Sequence, residues 1–267
     1  MSGSPRQPTF FLPHGGGPCF FMEWNPPDTW KKMSAWLGGL GATLEVAPKA
    51  IVVISGHWEQ TEFSVTGSPH PSLIYDYQGF PPHTYQLRYD APGSPALAQR
   101  ISDLLSQAGF PAHVDPTRGF DHGVFIPFKL IYPKADIPVV QLSLQAGLDP
   151  ATHIQAGRAL QSLREQGVLM VGSGMSYHNL RGFGDQFGPA SDEFDEWLTS
   201  AVCAGDAESR NSKLKQWQTA PHARLAHPRE EHLLPLMVAA GAAGEDLGRR
   251  IFSDRVMGVT VSAYQFG

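Results

Sequence analysis

The sequence predicts an α/β fold, because short apolar segments alternate along it with amphipathic segments. Three of the apolar segments, residues 50–55, 138–143 and 168–172, are continuously apolar, as strands covered on both faces tend to be. The chain has 267 residues, which suits one large α/β domain, and no linker divides it. We therefore expect a single domain over residues 1–267, with residues 1–8 as a flexible N-terminus.

Six strands are predicted from the apolar segments, and five helices from the amphipathic ones. The strands are expected at residues 10–13, 50–55, 63–66, 138–143, 168–172 and 258–263. The helices are expected at residues 29–40, 94–108, 151–165, 190–204 and 230–241. Pro150 stands near the start of the third helix, and Ser191 and Asp192 near the start of the fourth, which is typical of helix N-termini.

Composition excludes several classes of protein. The net charge is −5 and no run of basic residues is present, so neither a nucleic-acid partner nor a membrane surface is indicated. Cys19 and Cys203 are too few for a disulfide framework, which favours a reducing compartment. No apolar segment reaches the length of a membrane span, and no signal peptide is evident. We expect a soluble, cytoplasmic protein; the sequence does not indicate its oligomeric state.

Four histidines are placed as candidates for a metal site. His14, His57 and His178 each follow a predicted strand, and His232 stands where the last predicted helix begins. Ligands of open α/β sheets gather beyond the carboxyl ends of the strands, so these imidazoles can converge. Imidazole is the commonest metal ligand, and the pattern favours a metal enzyme. Three glycines follow His14 and allow the close approach of another group, and the small residues before His178 predict close packing around a ligand.

Alternatives remain open at each of these positions. Glu59 is a competing ligand beside His57, and the cluster of His227, Glu230, Glu231 and His232 is not resolved by spacing alone. An acidic first helical turn also has the plain explanation of the helix dipole. The motifs of a Walker loop, of a G-x-S-x-G hydrolase and of an H-E-x-x-H protease are all absent.

Two further segments carry candidate residues. Asp121 and His122 are adjacent, and a carboxylate can orient an imidazole, although neighbouring residues need not face each other; His122 is equally suited to begin a helix. The long loop 66–92 carries Tyr75, Tyr77 and Phe80, which are suited to lining a pocket for a flat ring or to packing on one another. The histidines without such context are interpreted as surface or loop residues: His70, His83, His113, His153 and His222.

Eight motifs together resemble the class III extradiol ring-cleaving dioxygenases, in particular their DOPA 4,5-dioxygenase-like branch. They are Phe11-Leu-Pro-His14-Gly, Pro48-Lys-Ala-Ile-Val-Val-Ile-Ser-Gly-His57-Trp58, Asp76-Tyr-Gln-Gly-Phe80-Pro, Tyr89-Asp-Ala-Pro-Gly-Ser-Pro, Gly119-Phe-Asp-His122-Gly, Pro138-Val-Val-Gln-Leu-Ser143, Gly172-Ser-Gly-Met-Ser-Tyr-His178-Asn-Leu and Glu231-His232-Leu-Leu-Pro-Leu. They follow the family order from residue 10 to about residue 240. One such motif is weak, whereas eight in order are specific.

The resemblance implies a central, mostly parallel or mixed sheet with helices on both faces, and a mononuclear non-haem metal. It implies that His14, His57 and His232 are the metal ligands, and that His178 is the active-site base, which in some relatives also contacts the metal. It implies that His122 contacts the substrate or the bound oxygen. More distant relatives use two histidines and a glutamate, so Glu231 stays open as a rival of His232.

The implied activity is the opening of a DOPA-like catechol ring with dioxygen, for which Fe(II) is the expected metal. Three histidines and a water also suit Zn(II), so a zinc-dependent hydrolase is an alternative hypothesis. A non-catalytic metal-binding protein on the same fold is another. The expected partners are a small aromatic diol and dioxygen. The particular catechol and the ring bond that is cleaved are not indicated.

Overall fold

One mixed sheet of eight strands organises the chain in the computed structural model, which describes residues 6–267. Its strands, in chain order, are β1 Thr9–Pro13, β2 Ala50–Gln60, β3 Phe63–Thr66, β4 Ala112–Asp115, β5 Val139–Gln145, β6 Val168–Gly174, β7 Gly248–Val256 and β8 Val259–Phe266. Their order across the sheet is β4-β3-β5-β2-β6-β1-β8-β7. The four central strands β5, β2, β6 and β1 are parallel, whereas β3 and β8 run antiparallel to their neighbours β5 and β1. The predicted α/β class with a mixed sheet is confirmed.

Eight helices cover both faces of this sheet. They are α1 Lys31–Leu40, α2 Pro95–Gln107, α3 His122–Ile131, α4 Pro150–Ala159, α5 Gly188–Val202, α6 Ala207–Lys215, α7 Ala223–Ala226 and α8 Leu234–Ala243. Helix α3 and helix α8 both pack against β6. Because successive side chains of a strand point to opposite faces, Ser173 contacts α3 through the Gly123 carbonyl while its neighbour Gly172 faces Pro235 of α8. The two helices therefore sandwich the centre of the sheet.

The central strand β2 extends further than predicted. We expected it to end at Ser55, but it continues to Gln60 and contains His57. Its pairing with β6 ends at Ser55, whereas its pairing with β5 resumes at Glu59 after an irregularity. Beyond Ser55, β6 no longer flanks β2, so the two strands open a crevice at the carboxyl edge of the sheet. His57 lies on the side of that crevice.

The last predicted helix begins later than expected. Residues 230–233 form a turn, and α8 begins at Leu234 with Pro235 in its first turn, where a proline needs no hydrogen-bond partner for its nitrogen. His232 therefore lies on the turn before the helix and not at its first residue. The N-terminal prediction covers residues 1–8, of which 1–5 lie outside the described residues; Gln7 is buried, and its backbone N–H donates to the Arg164 carbonyl.

Five elements were not predicted, among them helix α7, which has only four residues. Strand β4 has only four residues, and β7 is an edge strand whose residues Arg249, Arg250 and Asp254 interrupt any apolar run. Helix α3 is almost entirely buried, with eight of its ten residues inside the protein. It therefore has no polar face and no amphipathic pattern. Helix α6 is the opposite case and is mostly polar. Within residues 6–267 every helix is too short or too polar to traverse a lipid bilayer.

Candidate metal centre

Five histidines come together at the crevice between β2 and β6. His14 follows β1 and donates its backbone N–H to the Gly174 carbonyl, which fixes it beside the end of β6. His57 lies on β2, and His122 is the first residue of α3. The ring centroids of His57 and His122 are 4.0 Å apart, and those of His14 and His57 are 4.9 Å apart. His178 and His232 complete the group, and their rings stack at 3.5 Å and 15°.

Three of these imidazoles point their Nε2 atoms at one position. The Nε2 atom of His57 lies 3.1 Å from the Nε2 atom of His14 and 3.1 Å from that of His232. The three residues form a group that could hold a metal ion. A metal about 2.1 Å from each nitrogen would hold adjacent ligand atoms roughly 3 Å apart, so the spacing fits such an ion.

In His14 and His232, the hydrogen bond formed by Nδ1 determines that the Nε2 lone pair is free. Ser173 donates its hydroxyl to the Gly123 carbonyl, so its oxygen accepts from the His14 Nδ1–H at 3.0 Å. His232 donates its Nδ1–H to Glu231 Oε1 at 2.9 Å. In both rings the proton is on Nδ1, and the Nε2 lone pair is left for the centre. This is the arrangement in which outer partners orient metal-binding histidines.

The three histidines whose Nε2 atoms converge, His14, His57 and His232, are neutral near pH 7. Burial, followed by repulsion from the neighbouring imidazoles, lowers the pKa of His14 and of His232 well below the ordinary 6.5. Burial and then His122 lower the pKa of His57 to about 3, although Asp76 acts in the other direction. Neutral imidazoles whose lone pairs converge repel one another unless a cation lies between them. The donor set therefore suits a divalent metal.

Two carboxylates lie behind the histidines. Asp76 Oδ1 accepts from the backbone N–H of His122 at 2.9 Å and from its Nδ1–H at 2.8 Å, and Asp76 Oδ2 is 3.7 Å from His57 Nδ1. Burial acts to raise the pKa of Asp76, but these contacts with His122 outweigh it and the pKa is lowered. Asp76 belongs to one of the family motifs, yet nothing in its spacing indicated a role. It lies 46 positions from His122 in the chain.

Glu231 is the second of these carboxylates. Its Oε1 atom lies 2.9 Å from His232 Nδ1 and 3.4 Å from His178 Nδ1. Burial acts to raise the pKa of Glu231, but the hydrogen bond with His178 and the charge of Arg229 lower it. Both stacked rings therefore turn Nδ1 toward the same carboxylate, and the Nε2 atom of His232 points toward His57. In this position Glu231 lies beside the outer nitrogen of His232, and it also forms a group with His178 and His232 that could hold a metal ion.

The pair Asp121–His122 is not formed. Asp121 is fully buried and accepts from the Ser55 hydroxyl at 2.8 Å and from the Gln141 amide. Burial, together with the charge of Asp76, raises its pKa. As the residue that precedes helix α3, Asp121 points away from the ring of its neighbour, and Asp76 takes the place next to His122.

Other candidates also have different partners from those expected. Glu59 forms a double ion pair with Arg229, with both contacts at 2.5 Å, and does not contact the Nε2 centre. His227 is buried between Phe194 and Trp217 and donates its Nε2–H to the Ser176 carbonyl. The interpretation of His153 as a surface or loop residue is also wrong, because His153 is fully buried in α4.

The glycines near the site contact protein backbone. A Cβ atom at Gly174 would lie 2.0 Å from the His232 carbonyl oxygen, and one at Gly56 would lie 3.0 Å from the Glu231 carbonyl oxygen. Gly174 is one of the small residues before His178 that were expected to pack around a ligand; it packs against the backbone of the turn that carries His232, and Gly56 does the same on β2. They let the turn that carries His232 lie directly against β2 and β6.

The aromatic loop packs largely on itself. Tyr75 donates its hydroxyl to the Leu87 carbonyl, and Tyr77 donates its hydroxyl to the Thr84 carbonyl. The Tyr77 ring lies edge-on to His122, with 5.8 Å between centroids. Phe80 lies against Gly17 in the loop that follows His14. The tyrosine hydroxyls are thus engaged within the loop, while the rings form one wall beside His122.

The parallel core and the histidine centre at its carboxyl edge define an α/β protein with a site able to hold a metal. Residues 8–266 match the family described as the catalytic LigB subunit of aromatic ring-opening dioxygenase. The chain belongs to this family, and the predicted class of enzyme, a ring-opening dioxygenase, is confirmed. Membership implies a catalytic metal, an aromatic substrate and dioxygen.

Individual relatives agree with this membership. The chain is 44% identical over 242 residues to "4,5-DOPA dioxygenase extradiol" of Beta vulgaris, covering 89% of this chain and 87% of that protein. It is 39% identical over 249 residues to the protein of the same name from Escherichia coli (strain K12), covering 91% and 87%. The crystal structure of uncharacterized protein JW3007 from Escherichia coli K12 has a TM-score of 0.77 and 33% identity, covering 98% of this chain and all of that one.

Proposed function

We propose that this protein opens the ring of a DOPA-like catechol next to its two hydroxyl groups, with Fe(II) as its metal. His14, His57 and His232 hold the metal in this proposal. The observation that carries it is the convergence of three Nε2 lone pairs at 3.1 Å spacing, with their Nδ1 protons directed outward. The names of the relatives suggest DOPA as the substrate. A cytoplasmic location is proposed because Cys19 and Cys203 are both free and no apolar segment has the length of a membrane span.

A bound ferrous ion would supply a common site for the catechol oxygens and dioxygen, and so bring the reactants together. In this proposal His178 is the base that takes a proton from a catechol hydroxyl at its Nε2 atom. The support for this role is that Glu231 faces the Nδ1 atom of His178, while the ring stacks on His232.

His122 is assigned the second role at the reacting atoms. Asp76 accepts from its Nδ1–H at 2.8 Å, which leaves the Nε2 atom toward the crevice. In this proposal the Nε2 atom of His122 forms a hydrogen bond with a substrate or dioxygen atom. The edge of Tyr77 limits where a ring can lie beside it. In this proposal Tyr75, Tyr77 and Phe80 contribute to substrate binding only by packing of their rings, because the two tyrosine hydroxyls are bonded within the loop.

The roles of the histidines are separable by experiment. His14→Ala or His57→Ala should abolish iron binding, because each removes one of three ligands. His178→Phe should retain most of the bound iron but lose at least about 100-fold in turnover, as expected when a general base is removed. The measurements are iron content, dioxygen consumption and the absorbance of a yellow ring-opened product. His113→Phe, on the exposed edge strand β4, is the matched control.

Two results would contradict the proposal. Cleavage of a catechol by His178→Phe at the normal rate would remove the base from the mechanism. A metal-loaded wild-type protein that consumes no dioxygen with DOPA, protocatechuate or caffeate would favour the zinc-dependent hydrolase, for which three histidines are an equally suitable donor set.

A further inference from the structure

A cavity of about 290 Å³ lies beside His178, the proposed base. It is lined by the segment that follows His178 and by part of the segment that carries Glu231. Two arginines, Arg181 and Arg229, contribute its positive charge. His178 is the member of the histidine group that lines this cavity, so a substrate whose hydroxyl group reaches His178 has arginine side chains near it.

Arg229 is already occupied by protein carboxylates. Its two terminal nitrogens each lie 2.5 Å from an oxygen of Glu59, and one of them is 3.4 Å from Glu231. This pairing joins the end of β2 to the turn that carries His232. The planar guanidinium of Arg229 is thus bound to protein carboxylates and is not available to a ligand.

Arg181 differs from Arg229 in this respect. Within residues 6–267, no carboxylate lies within 4.0 Å of its guanidinium, and no hydrogen bond involves its side-chain nitrogens. Its backbone, in contrast, is held: the Arg181 N–H donates to Asn179 Oδ1 at 3.0 Å, and the Asn179 amide donates to the Leu225 carbonyl at 2.8 Å. The next residue is fixed as well, because Tyr177 donates its hydroxyl to the Gly182 carbonyl at 2.7 Å. A well-placed main chain therefore presents an uncommitted guanidinium.

We propose that Arg181 binds an anionic substituent of the catechol, a carboxylate, and so selects acidic catechols over neutral ones. This inference rests on the proposed ring-opening function and deepens it by naming a specificity-determining residue. A guanidinium fork matches a carboxylate with two parallel hydrogen bonds, which gives orientation as well as affinity. The exposed side chain of Leu180 lies next to Arg181 and offers an apolar surface to the linker between ring and carboxylate.

The test compares two catechols that differ only in charge: 3-(3,4-dihydroxyphenyl)propanoate and its primary amide. In Arg181→Gln, KM for the carboxylate should rise about tenfold, with kcat changed less than about twofold, because binding and not chemistry is affected. KM for the amide should change less than about twofold. For the wild type, the preference for the carboxylate should shrink at about 1 M salt, where charges are screened within about 3 Å.

Arg224→Gln is the matched control. Arg224 is a surface arginine paired with Glu230 at 2.6 Å, and it does not line the cavity. It should leave both KM values unchanged. Equal changes for the acid and the amide in Arg181→Gln, or no change for either, would overturn the proposal and identify Arg181 as a solvated surface charge.

A binding measurement tests the role of Arg181 independently of the proposed ring-opening activity. If the iron-loaded wild type opens neither catechol, the ring-opening proposal fails. Calorimetric titration of both compounds into zinc-loaded protein then still decides the role of Arg181. A preference for the carboxylate that is lost in Arg181→Gln supports the assignment, and equal binding of both compounds by the wild type contradicts it.

Discussion

At the scale of single residues, the site depends on what each histidine contacts with the nitrogen that faces away from the centre. Ser173 accepts from His14, and Glu231 accepts from His232. These bonds fix the tautomer and the ring plane before a metal arrives, which reduces the cost of ordering the ligands on binding. The outer partners are therefore as much part of the centre as the histidines that we propose as ligands.

Replacement of Glu231 by Gln tests this dependence. The variant keeps an oxygen near His232 Nδ1 but removes the negative charge, so metal affinity should fall about 10- to 100-fold. A competition titration with a chromophoric chelator measures this change. Glu230→Gln is the control, because Glu230 pairs with Arg224 at the surface. Complete loss of the metal, equal to that in His232→Ala, would instead identify Glu231 as a ligand.

At the scale of elements, glycines determine how closely the turn before α8 approaches the sheet. The turn carries His232, and the His232 carbonyl accepts from the Met175 N–H at 3.0 Å. Gly174 faces the same carbonyl with no side chain, so the turn rests on the backbone of β6. A position of this kind tolerates no added atom, because protein interiors are close-packed.

Replacement of Gly174 by Ala should therefore displace the turn. The added Cβ would lie 2.0 Å from the His232 carbonyl oxygen, so we expect a loss of about 1–3 kcal/mol in the free energy of unfolding and at least tenfold weaker metal binding. Urea denaturation and metal titration measure the two effects. Gly38→Ala is the control, since Gly38 is exposed in α1 with no atom near its Cβ position. It should stabilise the protein by up to about 1 kcal/mol. Unchanged metal affinity in Gly174→Ala would contradict the role of this contact.

At the scale of the whole molecule, several histidines are buried in neutral form. His153 donates its Nδ1–H to the Asp149 carbonyl and accepts from the Gln145 N–H, and burial lowers its pKa to about 4. Burial likewise lowers the pKa of His227 to about 3. The unfolded chain, with pKa values near 6.5, binds these protons at a pH where the folded chain does not. Stability is therefore full above pH 6.5 and declines as the pH falls toward the folded pKa values.

The variant His153→Gln tests this pH dependence. Glutamine can donate and accept as His153 does, but it takes up no proton. Between pH 6.5 and about 5, the slope of the unfolding free energy against pH should be smaller than in the wild type, by up to about 1.4 kcal/mol per pH unit. Urea denaturation at several pH values measures the slope. Above pH 6.5 the two curves should run parallel; parallel curves below it as well would show that His153 is protonated in the folded state.

The sequence by itself determined the features that depend on local pattern. Apolar runs identified six of the eight strands, and the histidines at the ends of three of them identified the crevice, because parallel strands bring their carboxyl ends to one edge. Eight motifs in order identified the family. Strand β7 and helices α3 and α6 were missed because exposure or complete burial removes the alternation on which such predictions depend.

Only the tertiary structure decided which groups face one another. Asp76, and not the adjacent Asp121, contacts His122, and Glu231 contacts the outer nitrogens of His178 and His232. It also decided that Arg229 is paired with Glu59 while Arg181 is free of carboxylates within residues 6–267. These contacts are set by side-chain direction across segments far apart in the chain, and neither spacing nor hydrophobic period records that direction.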